Sequence, residues 1–232
     1  MFLKIFLSSF FLVPIIYCQS YLEKGISEYN QRHLGCVEDQ AKPGPISSAI
    51  GHFEKALDKK DDKYEASLYL LKSYYFKSKF VIEDKKVKKD LLKKGKDLGL
   101  SLVEKFPNSV EYRYWYLVNL GSWAEEYGVF AAAREGVADQ MRYHSKKIIE
   151  IDPYYENGAG YFLLGAVHYK APYIPFILSW PNNNDALKYL ELAQATGEPE
   201  IAQIVYYAQA LDKDKNRAEA IKLLEAVLKR IP

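Results

Sequence analysis

Beyond residue 20, apolar side chains recur at three- and four-residue intervals, the spacing that places them on one side of an α-helix. Leu22, Ile26 and Tyr29 mark a helix within 21–34. Lys42-Pro43-Gly44-Pro45 reads as a helix breaker, and Ile46-Ser47-Ser48-Ala49 as a helix start with Ser at the cap. Helical spacing then predicts elements over roughly 46–58, 63–80, 84–105, 110–126, 128–150 and 157–169. Phe106-Pro107-Asn108-Ser109 and Ile151-Asp152-Pro153 end two of them. A Pro-rich loop is predicted from Ala171 to Asn184, and three further helices or helix pieces complete the chain. No run alternates apolar and polar residues between turn signals, as a half-buried strand would. The expected class is all-α.

The same pattern repeats within the chain. Ile204, Tyr207, Ala208 and Leu211 share one face of a helix, Ala220, Leu224 and Val227 follow on a second, and Pro232 closes the unit. Leu117, Leu120, Gly121 and Ala124 fit the first helix of another unit, as do Leu70, Leu71 and Tyr74. Tyr161, Leu164, Gly165 and His168 make a further first helix, with Ala186, Leu190 and Ala193 on its partner after an insertion. Ala49, Phe53 and Ala56 fit a second helix. A small residue lets two antiparallel helices approach closely, and large ones fill the groove between them. One pair cannot bury its apolar face alone, so such units stack.

In residue class and spacing these positions resemble the tetratricopeptide repeat (TPR). The resemblance implies a TPR-like α-solenoid of four to five antiparallel helix pairs over 20–232, built to bind a protein partner rather than to catalyse. The stretch from Tyr161-Phe162-Leu163-Leu164-Gly165 through Pro172 and Pro175-Phe176 to Asp185-Ala186-Leu187 is similar to exported repeat proteins such as the T component of TRAP transporters. That narrower likeness implies a scaffold partnered with an extracytoplasmic solute-binding protein, or an accessory that holds a small apolar ligand. It carries over no binding residue. The final repeat shows no polar capping helix, which raises self-association into a homo-oligomer as a further expectation.

The first residues follow another rule. Lys4 precedes about a dozen apolar residues, too few for a comfortable membrane span, and the composition turns polar after Ser20. A signal peptide or lipoprotein leader is expected over 1–19, and with it export to the periplasm or cell envelope. Tyr17 makes Ile16-Tyr17-Cys18 a poor lipobox, so membrane association is expected only if Cys18 is lipidated. If Cys18 leaves with the leader, Cys36 is the one cysteine that remains, and one cysteine makes no internal disulfide. A formal net charge of +2 argues against a nucleic-acid binder, and export argues the same way.

Candidate chemistry is sparse. The chain has no HExxH, GxSxG, Walker A, GxGxxG or CxxC motif, so no cofactor and no metal is expected. His33 lies near Cys36, Glu38 and Asp39, but two ligands in one loop are common by chance. His168 is expected to pack against the next helix, and the Glu125-Glu126 pair to be solvated or held by a basic neighbour. Lys85, Lys86, Lys88, Lys89, Lys93, Lys94 and Lys96 form a local charge block, with Val87, Leu91, Leu98 and Leu102 along one side of the same helix. Such a helix lies on the surface with lysine stems over its apolar stripe, or attracts anionic headgroups or an acidic partner.

The aromatic content, 15%, is high and concentrated. Tyr114, Leu117, Leu120 and Gly121 can face the interior, which leaves Tyr112, Trp115, Tyr116 and Trp123 for the other sides of that helix. With Tyr173, Phe176 and Trp180 of the insertion, these are the candidate binding residues: Tyr and Trp join large apolar area to a polar tip.

Overall fold

The computed structural model describes residues 19–176 and 178–229. The predicted leader, except its last residue, and Pro232 at the end of the last repeat lie outside them. Eleven helices are present among the described residues: α1 (Tyr21–Asn30), α2 (Pro43–Ala56), α3 (Lys63–Phe80), α4 (Lys85–Lys105), α5 (Val110–Tyr127), α6 (Val129–Arg134), α7 (Val137–Ile151), α8 (Ala159–Lys170), α9 (Asn183–Thr196), α10 (Ile201–Lys213) and α11 (Arg217–Leu228). The only β-type pairings among those residues are isolated bridges, Val37 with Gln40 and Ile174 with Leu178.

Local chemistry sets the helix ends. Ser20 and Glu23 form a reciprocal capping box at α1. Asp84, Ser109 and Asn182 each accept a backbone N–H of the first turn of α4, α5 and α9, contacts that typically contribute about 1 kcal/mol each. Two sequence expectations need correction. Pro43, Gly44 and Pro45 do not break α2 but form its first turn, where a proline lacks only an N–H that would have no helical partner. The single helix expected over 128–150 is two helices, because Gly136 takes a left-handed conformation (φ 62°) between α6 and α7.

The helices stack as five antiparallel pairs, α1/α2, α3/α4, α5/α7, α8/α9 and α10/α11, each packed on the next, with α6 as an extra turn. The central core joins α3, α4, α5, α7 and α8 through Leu71, Leu92, Leu120, Ile148 and Leu164. Backbones meet almost directly at two crossings. A Cβ on Gly99 of α4 would lie 2.9 Å from the Tyr116 Cα of α5, and one on Gly165 of α8 would lie 3.0 Å from the Leu190 backbone nitrogen of α9. Gly165 thus plays the part expected of the small residue in a repeat. At the far end, α11 leaves Ile221, Leu224 and Leu228 exposed. No helix among the described residues is long and apolar enough to cross a membrane.

Candidate functional site

Stacking of antiparallel pairs turns the first helix of each pair toward one side. α3, α5, α8 and α10 line that side, and they enclose an apolar groove of about 700 Å³ with α6, the start of α7 and Ala171, Pro172, Ile174 and Leu178 of the loop after α8. The groove's aromatic walls are Tyr75, Tyr114, Trp115, Phe162 and Tyr206. The rings support one another: Tyr75 and Trp115 lie 6.0 Å apart, Tyr114 and Trp115 5.4 Å, and Phe162 and Tyr206 5.3 Å between centroids. Small residues, Gly121, Ala132, Ala133 and Ala166, keep the space between them open. A Cβ added to Gly121 would meet no closer atom than Met141 Cε, at 3.9 Å.

Charge lies at the margins. Lys79 and Glu125 face each other at 3.8 Å, so this member of the Glu125-Glu126 pair has the basic neighbour expected for it. The Lys170 ammonium stands 5.3 Å from the Tyr206 ring. Burial raises the phenol pKa of Tyr75, Tyr114 and Tyr206 above its usual value, reinforced by Glu125 at Tyr75. These hydroxyls therefore stay neutral and can donate hydrogen bonds, but they do not serve as bases near neutrality.

The described residues of the 171–178 loop are held at the groove by two sets of contacts. Ile174 and Leu178 exchange backbone hydrogen bonds of 2.8 and 2.7 Å. Beyond them, Trp180 Nε1 donates to Asp139 Oδ1 at 2.9 Å. The Trp180 ring has the Arg142 guanidinium 4.6 Å from its centroid and the His168 ring 4.8 Å away, nearly perpendicular. His168 is buried against Trp180 and Tyr189 of α9, as its position in the repeat suggested.

The seven aromatics singled out from the sequence separate into three groups. Trp115 lines the groove. Tyr173 and Phe176 protrude from the loop, and Trp180 clamps it. Tyr112, Tyr116 and Trp123 do not cover an outer side of α5; they are buried. Tyr112 donates to the Tyr64 carbonyl at 2.9 Å, and Tyr116 donates to Gln140 Oε1 at 2.5 Å. Trp123 stacks on Tyr127 at 4.5 Å beneath the Lys96 ammonium. The expectation assumed one buried face for α5, whereas an internal first helix packs on α4, α7 and α3 at once. Tyr75, Tyr114, Phe162 and Tyr206 were missed as wall residues. The available signal was an aromatic residue on every first helix from α3 to α10.

The charged groups that line the groove, among the described residues, are Lys79, Glu125, Asp139 and Lys170. Among the described residues no group of three or more His, Cys, Asp or Glu is placed to hold a metal ion. His33 lies edge-on to Phe76 at 4.9 Å, and Cys36 is a free thiol. The arrangement offers apolar contact area, neutral hydrogen-bond donors and a few marginal charges.

No protein-family model matches the chain, and no curated protein matches its sequence. Its fold is similar to the crystal structure of TTC0263, a thermophilic TPR protein in Thermus thermophilus, with a TM-score of 0.61 and 17% identity over 91% of this chain and 90% of that one. With the five stacked helix pairs, that likeness makes the fold a TPR-like α-solenoid.

Proposed function

We propose that the protein is a non-catalytic adaptor that holds an apolar segment of a protein partner in the groove lined by its first helices. The observation that carries this reading is the pairing of aromatic walls with small residues between them: Tyr114, Trp115, Phe162 and Tyr206 around Gly121, Ala133 and Ala166. Rigid rings supply contact area at low entropic cost, and the small residues leave room for inserted side chains. The polar margin of Lys79, Glu125, Asp139 and Lys170 suits the backbone and flanking charges of a peptide.

The leader pattern and the likeness to the T component of TRAP transporters support a place at the cell envelope, with an extracytoplasmic solute-binding protein as the partner. A second reading has its own support. Sites for small molecules span about 300–1,000 Å³, and the groove's volume of about 700 Å³ falls in that range, so a small apolar ligand is the alternative occupant.

A photo-reactive phenylalanine analogue in place of Trp115 tests both. Cross-linking to one partner protein in envelope extract supports the adaptor. A co-purified small molecule in native mass spectrometry, with no protein adduct, selects the ligand reading. If the folded protein yields neither an adduct nor a bound molecule, the groove is not the binding site.

A further inference from the structure

Consecutive first helices of a solenoid run in the same direction, so the C-terminal ends of α3, α5 and α8 and the N-terminal ends of their partners share one edge. Tyr127 at the end of α5 donates to the Lys89 carbonyl near the start of α4 at 3.4 Å, which ties two of these ends together. On this edge stand α6 and the 171–178 loop, which both border the groove. Each carries a phenylalanine in open solvent: Phe130 is 93% exposed and Phe176 fully exposed. Val129, Tyr173 and Val87 are more than half exposed beside them in sequence or on the same edge.

The lysines of α4 divide along the helix. Lys93 pairs with Asp97, Lys94 with Glu54, and Lys96 with Glu135. In its first two turns, Lys85, Lys86, Lys88 and Lys89 make no ion pair with any described residue; Lys89 lies 5.1 Å from the Tyr127 ring. Of the carboxylates on this edge, Asp84 is engaged as the cap of α4 and Glu125 faces Lys79, while Glu83 and Asp90 flank the lysines and Glu126 stands at the end of α5.

We propose that this edge docks on an anionic phospholipid bilayer, with Phe130 and Phe176 inserted past the headgroups into the start of the acyl region and the four lysines over the lipid phosphates. The charge beside the exposed rings favours an anionic bilayer as the occupant. Phe130 with Val129 on α6, and Phe176 with Tyr173 on the loop, are exposed apolar tips that can each enter lipid. Unpaired lysines near such rings match the negative potential of the leaflet surface. The inference does not depend on what fills the groove.

The test uses the full chain carrying Phe130→Trp or Phe176→Trp, mixed with vesicles of brominated phosphatidylglycerol or brominated phosphatidylcholine. Bromine quenches only an indole that enters the acyl region, and the wild-type chain supplies the baseline from its own tryptophans. The expected result is a blue shift and quenching of both added indoles in phosphatidylglycerol. Lys85→Gln/Lys86→Gln/Lys88→Gln/Lys89→Gln should weaken the phosphatidylglycerol partitioning of these tips roughly tenfold or more. Tips that stay unquenched in phosphatidylglycerol, or that are quenched equally in phosphatidylcholine or in the lysine variant, overturn the proposal. Sedimentation velocity would then show whether a second copy covers the edge instead.

Discussion

The buried guanidinium of Arg113 donates to Nδ1 of His144, which requires a neutral imidazole with its proton on Nε2. The same guanidinium donates to the Pro107 carbonyl, so Arg113 fastens the α4–α5 turn to α7. Burial first, and then the Arg113 charge, push the His144 pKa down to about 4.

A pH dependence of stability follows with a definite sign. An unfolded histidine takes up a proton near 6.5, while folded His144 resists it down to about 4. The unfolded chain therefore binds more protons in that window. Stability is complete above about pH 6.5 and should fall as the pH drops toward 4. His144→Gln, which keeps an acceptor for Arg113, should flatten the curve of Tm against pH. His33 and His168 are shifted downward too, chiefly by burial, so part of the slope should remain. An unchanged slope would refute the assignment.

Glycine-to-alanine changes should divide by location. At Gly99 and Gly165 the added methyl meets backbone on the facing helix, and each change should destabilise by about 1–3 kcal/mol. At Gly121 the methyl enters open space, and removing a helical glycine should stabilise by roughly 0.5–1 kcal/mol. Urea unfolding of the three variants checks the contrast; a loss of stability in Gly121→Ala would mean that the groove wall is packed rather than open.

The aromatics of α5 should also separate by role. Tyr116→Ala removes a fully buried ring and should cost about 3–5 kcal/mol by analogy with large core truncations. Trp115→Ala, at a half-buried groove position, should cost less in stability and more in partner binding. Circular dichroism melts alongside a binding titration would show it. Equal melting losses would place Trp115 in the core with Tyr116.

Trp180→Ala removes the hydrogen bond to Asp139 and the ring's contacts with Arg142 and His168. The 171–178 loop should then become more mobile, and limited proteolysis should cut it at least several-fold faster while the helices stay intact. Cleavage at the wild-type rate would mean that the Ile174–Leu178 bridge holds the loop without the clamp.

Most helix boundaries were legible in the sequence because caps and prolines are local signals: Asp84, Ser109 and Pro107 mark ends that the fold respects. The start of α2 was misplaced because proline acts oppositely in the first turn and in the interior of a helix. The break at Gly136 was missed because the apolar spacing continues across it, through Val129, Ala133, Val137 and Met141. The groove was only partly legible. Tyr112, Tyr116 and Trp123 lie at intervals of four and seven, which is itself a buried stripe, but one helix viewed alone does not reveal how many neighbours surround it. Tyr75 and Tyr206 lie far apart in sequence and line the same groove only through the stacking of the helix pairs.

The most direct measurement on the central claim is partner capture by Gly121→Phe beside wild type and Gly121→Ala, each confirmed folded by its melting curve. The new ring would enter the groove, where an added Cβ meets no atom closer than Met141 Cε at 3.9 Å, without entering a helix crossing. If the groove is the binding site, Gly121→Ala should bind like wild type and Gly121→Phe should lose binding at least tenfold. Undiminished capture by folded Gly121→Phe would contradict the account and place the partner elsewhere on the solenoid.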